Sequence, residues 1–233
     1  MKMRVMERDE RMLAKLGAAR WLTTRQVSLL SYSGVSLEMA RRRLRVLRQA
    51  GYLFTCQANQ MAASLHTLGP AGRQLLCRHG YPDLLRLERR PPKNLEHFLG
   101  INDIRIAVER NAVRENLVLS FFFACWELQQ QGWEYALIPD GMCQLTWQGS
   151  EALLLFEFDR AHESPGYFAR TKFQPYAQGL PGLPITRVIV VTETLARLRQ
   201  LQKYCAQVAD TKQFVFLVQE ALQRSFSLRE LLP

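Results

Sequence analysis

Hydrophobic residues recur every three or four positions along three segments near the start of the chain. The pattern predicts short helices over 8–16 and 24–30. A third helix is predicted over 37–50, because Ser36 is a favoured N-cap residue and Gly51 a favoured stop. The apolar face of this third helix consists of Leu37, Ala40, Leu44 and Leu47.

Two short strands are predicted next, at 51–54 and 65–68, and a fourth helix at 71–79. Three helices, a hairpin and a closing helix are typical of a winged helix-turn-helix module, which inserts its third helix into the major groove of DNA. The loop between the two strands, 55–64, contains no Lys or Arg. We therefore expect the third helix, and not this loop, to bind DNA.

The polar face of the third helix is rich in arginine. Arginine-rich faces are also common on helices that only face solvent, so the charge alone does not decide the matter. Together with the winged-helix pattern it predicts a DNA-binding surface, with base contacts from the first half of the helix and phosphate contacts around them. The candidate DNA-binding residues are Ser36, Glu38, Arg41, Arg42, Arg43, Arg45, Arg48 and Gln49.

Prolines mixed with charged residues predict a linker at 81–93. The linker separates a winged helix-turn-helix DNA-binding domain at 1–80 from a second domain at 94–233. The second domain starts with a long helix to about Glu115, followed by three strands, a helix, a strand, a helix and a strand. This order predicts an α/β (α+β) fold with a mixed sheet flanked by helices.

An apolar run of strand length, 152–156, ends in two acids, Glu157 and Asp159. Because side chains alternate along a strand, these carboxylates share one face, about 7 Å apart. Asp140 precedes a segment that a turn at 148–149 folds back as a hairpin partner of this strand. Three carboxylates at one end of a sheet predict a site for Mg²⁺ or Mn²⁺, with Asp140, Glu157 and Asp159 as its ligands.

Acids at the ends of strands also commonly point into water, and a charge beside a buried sheet requires a partner of some kind. That partner is either a divalent cation or a basic side chain, for which Arg160 and Lys172 are the candidates. Lys172 belongs to a predicted helix at about 167–178, which Pro175 is expected to kink or shorten.

A covalent nucleophile is an alternative to a metal-activated water, and Tyr176 or Tyr167 would supply it. A nucleophilic tyrosine needs an adjacent activating group, whereas the histidines here are dispersed. His97 and Asp103, on the long helix of the second domain, could face a site, although such residues are more often structural. The histidines are His66, His79, His97 and His162.

The charge balance indicates a polyanionic partner, nucleic acid before membrane. The chain has 31 Lys and Arg against 21 Asp and Glu, a net charge of +10, and a pI of about 9.7. The five cysteines are odd in number and scattered, which indicates reduced thiols in a cytoplasm. The N-terminus is charged, and no apolar run is long enough to span a membrane. We therefore expect no secretion signal and no membrane partner.

The acids of the second domain resemble those of the PD-(D/E)xK restriction-endonuclease-like fold, in which two strands of a meander carry Pro-Asp and Glu-x-Lys. Here Pro139-Asp140 and Glu157-Phe158-Asp159 occupy those places. A winged helix followed by this motif resembles the replication-relaxation family, which includes the MobC-type relaxases of mobilisable plasmids. The resemblance covers nearly the full chain.

The resemblance implies a DNA endonuclease or relaxase that nicks the transfer origin of a plasmid or integrated element. It assigns one or two Mg²⁺ or Mn²⁺ ions to the three acids. Asp159 stands where the motif has its lysine, which orients or helps to deprotonate the attacking water. Lys172 is the candidate replacement, and Tyr176 resembles a tyrosine often found on that helix. The candidate catalytic residues are thus Asp140, Glu157, Asp159, Lys172 and Tyr176.

A second hypothesis is a non-catalytic regulator of transcription or replication with a degenerate, nuclease-like dimerisation domain. The arginine-rich helix fits both hypotheses, whereas a regulator has no use for three acids at one sheet edge. A structural scaffold in a transfer or replication complex explains neither feature. The expected partner is double-stranded DNA, at a transfer origin or an operator, with accessory transfer or replication proteins and a second copy of the chain as further candidates.

Overall fold

The protein, represented by a computed structural model, is described over residues 4–32, 34–57, 63–81, 87–224 and 226–232. It forms two compact units, residues 1–102 (unit 1) and 103–233 (unit 2). Unit 1 contains a three-stranded sheet and unit 2 a five-stranded sheet. Residues 58–62 of the loop between the first predicted strands and 82–86 of the predicted linker lie outside the described residues.

Unit 1 consists of three helices, a small antiparallel sheet and a closing helix. Its elements are α1 (Glu7–Ala19), β1 (Leu22–Thr23), α2 (Thr24–Ser31), α3 (Leu37–Gln49), β2 (Leu53–Gln57), β3 (Ser64–Leu68) and α4 (Pro70–Arg78). The strand order is β1-β3-β2 and both pairs are antiparallel. The sequence predicts every element except β1, because two residues are too few to show an alternating pattern.

Local sequence explains where the helices of unit 1 begin. Thr23 Oγ1 accepts a hydrogen bond from the amide of Gln26 (3.2 Å), and Gln26 Oε1 accepts one from the amide of Thr23 (2.9 Å), a capping box for α2. Ser36 Oγ accepts a bond from the amide of Met39 at 3.3 Å and caps α3. Of the positions predicted to form the apolar face of α3, Ala40, Leu44 and Leu47 are buried, and Leu37 is 39% exposed.

The boundary between the units lies within α5 (Leu95–Arg114), whereas the sequence predicts a linker at 81–93. The first turns of α5 belong to unit 1 because Asn102 Nδ2 donates to the carbonyls of Ala19 (3.1 Å) and Trp21 (3.0 Å). These two carbonyls would otherwise need other partners in a buried region. No helix in the described ranges is both long and apolar enough to cross a membrane.

Unit 2 is a mixed sheet flanked by helices, which confirms the predicted α/β (α+β) fold class. The strand order is β4-β5-β6-β7-β8, antiparallel from β4 to β6 and parallel from β6 to β8. After α5 its elements are β4 (Val118–Ala124), α6 (Cys125–Gln130), β5 (Gly141–Trp147), β6 (Ser150–Asp159), α7 (Pro165–Phe168), a π-helix (Ala169–Phe173), α8 (Gln174–Gln178), β7 (Ile185–Thr192), α9 (Leu195–Val208), a 3₁₀ turn (Thr211–Gln213), β8 (Phe214–Val218), α10 (Gln219–Arg224) and a second 3₁₀ turn (Leu228–Leu231).

A two-residue turn, Gln148-Gly149, joins β5 to β6 at the position that the sequence predicts. Both residues have a positive φ, 49° and 85°, as a type I′ turn requires. The register pairs Trp147 with Ser150 beside the turn and Gly141 with Phe156 at the other end of the hairpin. The start of β5 therefore lies beside the end of β6.

The helical segment from α7 to α8 packs on one face of this sheet, and Pro175 determines its form. Proline has no amide hydrogen and cannot continue the α-helical ladder of bonds. Here the turn that precedes α8 is a π-helix, and Pro175 lies in the first turn of α8. The predicted kink is therefore a change of helix type. The side chains buried between the segment and the sheet include Phe168, Phe173, Tyr176, Leu155, Val188 and Val190.

Candidate functional site

Asp140 and Glu157 face each other across the open end of the β5–β6 hairpin. Asp140 directly precedes Gly141, which pairs with Phe156, so Asp140 is placed opposite Glu157. Residues opposite each other in an antiparallel pair have their side chains on the same face. Asp140 Oδ2 also accepts a 2.8 Å hydrogen bond from the amide of Phe158, which fixes its carboxylate at this end of the sheet.

Glu157 is buried and has two partners from the helical segment above it. Its side chain is 2% exposed. Lys172 Nζ lies 2.8 Å from Oε2 of Glu157, and the hydroxyl of Tyr176 donates to Oε1. The two partners are four residues apart in the chain, so they point from the helical segment toward the same carboxylate. The structure thus brings together four of the five candidate catalytic residues, Asp140, Glu157, Lys172 and Tyr176.

The four groups influence one another electrostatically. Burial raises the pKa of Glu157 to about 7; the charge of Lys172 opposes this rise, and the negative charge of Asp140 adds to it. Burial by itself lowers the pKa of Lys172, but the charges of Glu157 and Asp140 outweigh it, so the net change is a rise. Lys172 is therefore an ammonium ion at neutral pH.

Tyr176 is suited to orient Glu157 and poorly suited to act as a nucleophile. Burial raises the pKa of its phenol well above the ordinary value, and the neighbouring Glu157 raises it further. Tyr176 has no exposed surface. Tyr167, the other candidate nucleophile, is 47% exposed, and its amide donates to Ser164 Oγ at 3.2 Å as part of the cap of α7.

Asp159, the third predicted metal ligand, is paired with an arginine. Arg197 of α9 donates from Nε to Oδ2 (2.7 Å) and from Nη2 to Oδ1 (2.9 Å), and both side chains are almost fully buried. The guanidinium also donates to the carbonyl of Glu163 at 2.8 Å. A bidentate arginine satisfies both oxygens and neutralises the charge.

The predicted cluster of three acids is therefore not formed. Within the described part of the chain, no group of three or more His, Cys, Asp or Glu side chains has an arrangement that could hold a metal ion. The physical reason is that Arg197, near the start of α9, lies over the end of β6 and pairs with Asp159. Sequence reasoning missed Arg197, because nothing local distinguishes it from other arginines on a helix.

Three other residues that the sequence suggested for the site, Arg160, Asp103 and His97, are placed elsewhere. Arg160 pairs with Glu193 at 2.8 Å. Asp103 Oδ2 accepts a bond from Gln219 at 3.0 Å, and His97 belongs to unit 1.

In unit 1, α3 exposes most of the predicted DNA-binding residues. Glu38 and Arg41 form an exposed ion pair at 3.5 Å, and Ser36 is the helix cap described above. Arg43 differs from its neighbours, because its Nε donates to the fully buried Asp9 of α1 at 2.9 Å. Arg43 therefore joins α3 to α1. The candidates that remain exposed and form no ion pair with any described residue are Arg42, Arg45, Arg48 and Gln49.

The net positive charge of the protein comes from unit 1. Residues 1–102 contain 18 Lys or Arg and 7 Asp or Glu, whereas residues 103–233 contain 13 and 14. The net charge is thus +11 in unit 1 and −1 in unit 2. A surplus confined to one small unit is the electrostatic pattern of a nucleic-acid-binding module.

The fold and the site define a protein that combines a helical unit containing a small antiparallel sheet with a mixed five-stranded sheet flanked by helices. The open end of the β5–β6 hairpin in the larger sheet carries two carboxylates, and a lysine from the helical segment lies beside them. The sequence profile of the replication-relaxation family matches residues 13–180, and the chain belongs to this family.

Two solved structures are similar to the chain, both of restriction endonuclease FokI. One matches at 13% identity and a TM-score of 0.35, covering 99% of this chain and 47% of FokI. The other, FokI bound to DNA, matches at 13% identity and a TM-score of 0.27, covering 95% and 46%. The chain thus spans about half the length of the solved chains that it matches. A comparison with curated proteins gives no match.

Proposed function

We propose that this protein binds double-stranded DNA through α3 of unit 1 and nicks one strand in unit 2, in a reaction that depends on Mg²⁺ or Mn²⁺. The observation that carries the proposal is the placement of Lys172 Nζ 2.8 Å from Glu157 Oε2, with Asp140 opposite Glu157 on the neighbouring strand. Two acids and a lysine at one sheet end are the set of groups that a PD-(D/E)xK nuclease needs, with the lysine contributed by a helix.

The residues present fit a divalent cation. Asp140 and Glu157 are close enough for the charge of one to raise the pKa of the other, and a cation between them would relieve this repulsion. Mg²⁺ commonly binds through one or two carboxylates, with waters and substrate phosphates at the remaining positions. When bound, the ion would polarise the scissile phosphate and lower the pKa of the attacking water.

The side chains around the carboxylates have distinct proposed roles. An ammonium ion has three donors, and Glu157 takes one from Lys172. The other two can donate to a phosphate oxygen or orient the attacking water. Tyr176 holds Glu157 through its hydroxyl, and the amide of Phe158 holds Asp140. The Asp159–Arg197 pair holds α9 to the end of β6 in this proposal, so Asp159 is not a ligand in it.

The proposed substrate is the transfer origin of a plasmid or integrated element. Membership of the replication-relaxation family supports a role on replicating or mobile DNA. Accessory transfer or replication proteins are proposed partners, since a nick does not by itself transfer the cut strand.

The test uses supercoiled plasmid that carries the DNA flanking the gene for this protein. With Mg²⁺ or Mn²⁺ the unaltered protein should convert it to the nicked form, while Asp140→Asn and Glu157→Gln should not, although both should still bind the DNA. Glu151→Gln is a matched control, because Glu151 is an exposed acid on the same strand, β6. Undiminished nicking by both site variants would rule out this active site.

A non-catalytic regulator is the second candidate, and one observation favours it. Asp159 occupies the place of the motif lysine and is neutralised by Arg197, which leaves two acids where three were expected. A regulator would bind its operator with no strand cleavage at any concentration of Mg²⁺ or Mn²⁺. The nicking assay therefore separates the two functions directly.

A further inference from the structure

A polar cleft lies between α3 and the β2–β3 hairpin of unit 1. Its volume is about 200 Å³. Positively charged and hydroxyl-bearing side chains form most of its wall. The lining residues are Thr24, Arg41, Leu44, Arg45, Arg48, Thr55, Ser64 and His66.

Three arginines face this cleft because of their spacing on α3. Arg41, Arg45 and Arg48 are separated by four and three residues, so they lie along one side of the helix. Arg42 and Gln49 lie on the side opposite the buried face and are absent from the cleft wall. The helix thus presents two basic surfaces in different directions, one toward the hairpin and one outward.

His66 forms the buried floor of the cleft and is neutral. It is 5% exposed, and burial lowers its pKa to about 4, with a further contribution from the charge of Arg48. Its Nε2 is 2.9 Å from Thr24 Oγ1, and its Nδ1 is 3.0 Å from Thr55 Oγ1. The ring therefore joins the start of α2 to the hairpin.

The neutral ring leaves a hydroxyl proton available in the cleft. A neutral imidazole has one N–H donor and one acceptor nitrogen. One of the two threonines, Thr24 or Thr55, therefore accepts from the ring, and its own hydroxyl hydrogen is free to donate elsewhere. The cleft thus offers three guanidinium groups and neutral hydroxyl donors, and none of the described residues in its wall is acidic.

We propose that this cleft binds a phosphate group of the DNA backbone, so that Arg41, Arg45 and Arg48 anchor the duplex without reading its sequence. Planar guanidinium groups and hydroxyls bind phosphate oxygens well, and phosphate contacts hold a protein on DNA without reading its sequence. Base reading then falls to the outward surface of α3, with Arg42 and Gln49. The inference rests on the proposed binding of duplex DNA by unit 1.

The test measures how salt affects the binding of the full-length protein to duplexes enriched from a random pool by the unaltered protein. Each lost phosphate contact should reduce the slope of log affinity against log salt by about 0.9. Arg45→Gln with Arg48→Gln removes the contacts to one phosphate, so it should flatten the slope by about 0.9 and weaken binding at low salt, while the ranking of different duplexes stays the same. Arg42→Gln should change the ranking.

Controls separate failure of this inference from failure of DNA binding itself. Arg11→Gln removes an exposed charge on α1 that pairs with Glu7 at 3.7 Å, and it should leave the slope unchanged. If the Arg45 and Arg48 variant changed the ranking and kept the slope, the cleft would be a base-reading site and the inference would fall. If the unaltered protein bound no duplex, both the proposed DNA binding and the inference about the cleft would be wrong.

A free phosphate ion or a nucleotide carries the same phosphate group and is the alternative ligand for this cleft. Inorganic phosphate and a mononucleotide should compete with duplex only at high millimolar concentrations, because a single phosphate lacks the neighbouring contacts of a DNA backbone. Competition at micromolar concentrations that disappears in the Arg45 and Arg48 variant would show a small-molecule site and overturn the inference. A duplex with one neutral methylphosphonate should bind less tightly at one linkage, and the Arg45 and Arg48 variant should lose this sensitivity.

Discussion

The ammonium group of Lys172 lies 2.8 Å from Oε2 of Glu157, although the lysine comes from a helical segment and the glutamate from a strand. In the PD-(D/E)xK motif the lysine follows the glutamate on the same strand, two positions later. Asp159 holds that position here and pairs with Arg197. The chain thus supplies a lysine to the glutamate from a different backbone position.

Lys172→Met should reduce nicking about 10²-fold or more, because it removes the ammonium group that pairs with Glu157. DNA binding should not change. Glu157 loses its cationic partner but keeps the hydrogen bond from Tyr176, and its raised pKa allows it to take up a proton, so the unit should remain folded. Rates of plasmid nicking and duplex affinities, measured side by side, test this. Arg170→Met, an exposed change on the same helical segment, is the control. Equal nicking rates for the Lys172 and Arg170 variants would show that Lys172 has no role in the reaction.

Arg197→Met or Asp159→Asn should each destabilise unit 2 by about 3–5 kcal/mol, since either change leaves a buried charge or donor without its partner. The double variant should lose less than the sum of the two single changes. Urea unfolding followed by a signal from unit 2 measures all three. Arg199→Met on the exposed side of α9 should change little. Losses below about 1 kcal/mol for both single variants would mean that the pair behaves as an exposed one.

Arg43→Met should lower the stability of unit 1 more than it lowers DNA affinity. Arg43 is the cationic partner of Asp9, which is fully buried and would be left uncompensated, at a cost of about 3 kcal/mol. Arg42→Met, one position away and exposed, should show the opposite pattern. Thermal unfolding and duplex binding of both variants test this. A purely DNA-binding defect in the Arg43 variant would assign this arginine to the interface instead.

Unit 1 should become less stable in acid, because the buried His66 ring resists protonation. Its folded pKa is about 4 against an ordinary 6.5, so the unfolded chain takes up a proton that the folded chain resists. The contribution of neutral His66 to the free energy of unfolding is complete above pH 6.5. It is lost as the pH falls toward 4, and the total loss is about 3 kcal/mol.

The measurement is the unfolding free energy of the unaltered protein and of His66→Gln between pH 7.5 and 4.5. The difference between the two should shrink as the pH falls, because glutamine does not titrate. His79→Gln serves as the control, since His79 is about half exposed and pairs with Glu10 at 2.7 Å. A difference that stays constant with pH would contradict the lowered pKa.

The local patterns in the sequence predicted the elements well. Helical periodicity identified α3 and its buried Ala40, Leu44 and Leu47. The Gln148-Gly149 turn and strand alternation correctly placed Asp140 beside Glu157. These features depend on the period of a helix, the period of a strand and the φ angles of a turn, all of which are properties of neighbouring residues.

Tertiary structure alone decided which charges are paired. Glu157 and Asp159 share a strand face and differ by two positions, yet one meets Lys172 and the other meets Arg197. On α3, Arg43 turns inward to Asp9, while Arg45 faces a cleft beside the hairpin. An ion pair depends on which helix packs over a given strand end, and charged residues on a helix look alike in sequence. The secondary structure and the position of the acids could therefore be predicted from the chain, whereas the composition of the site required the packed fold.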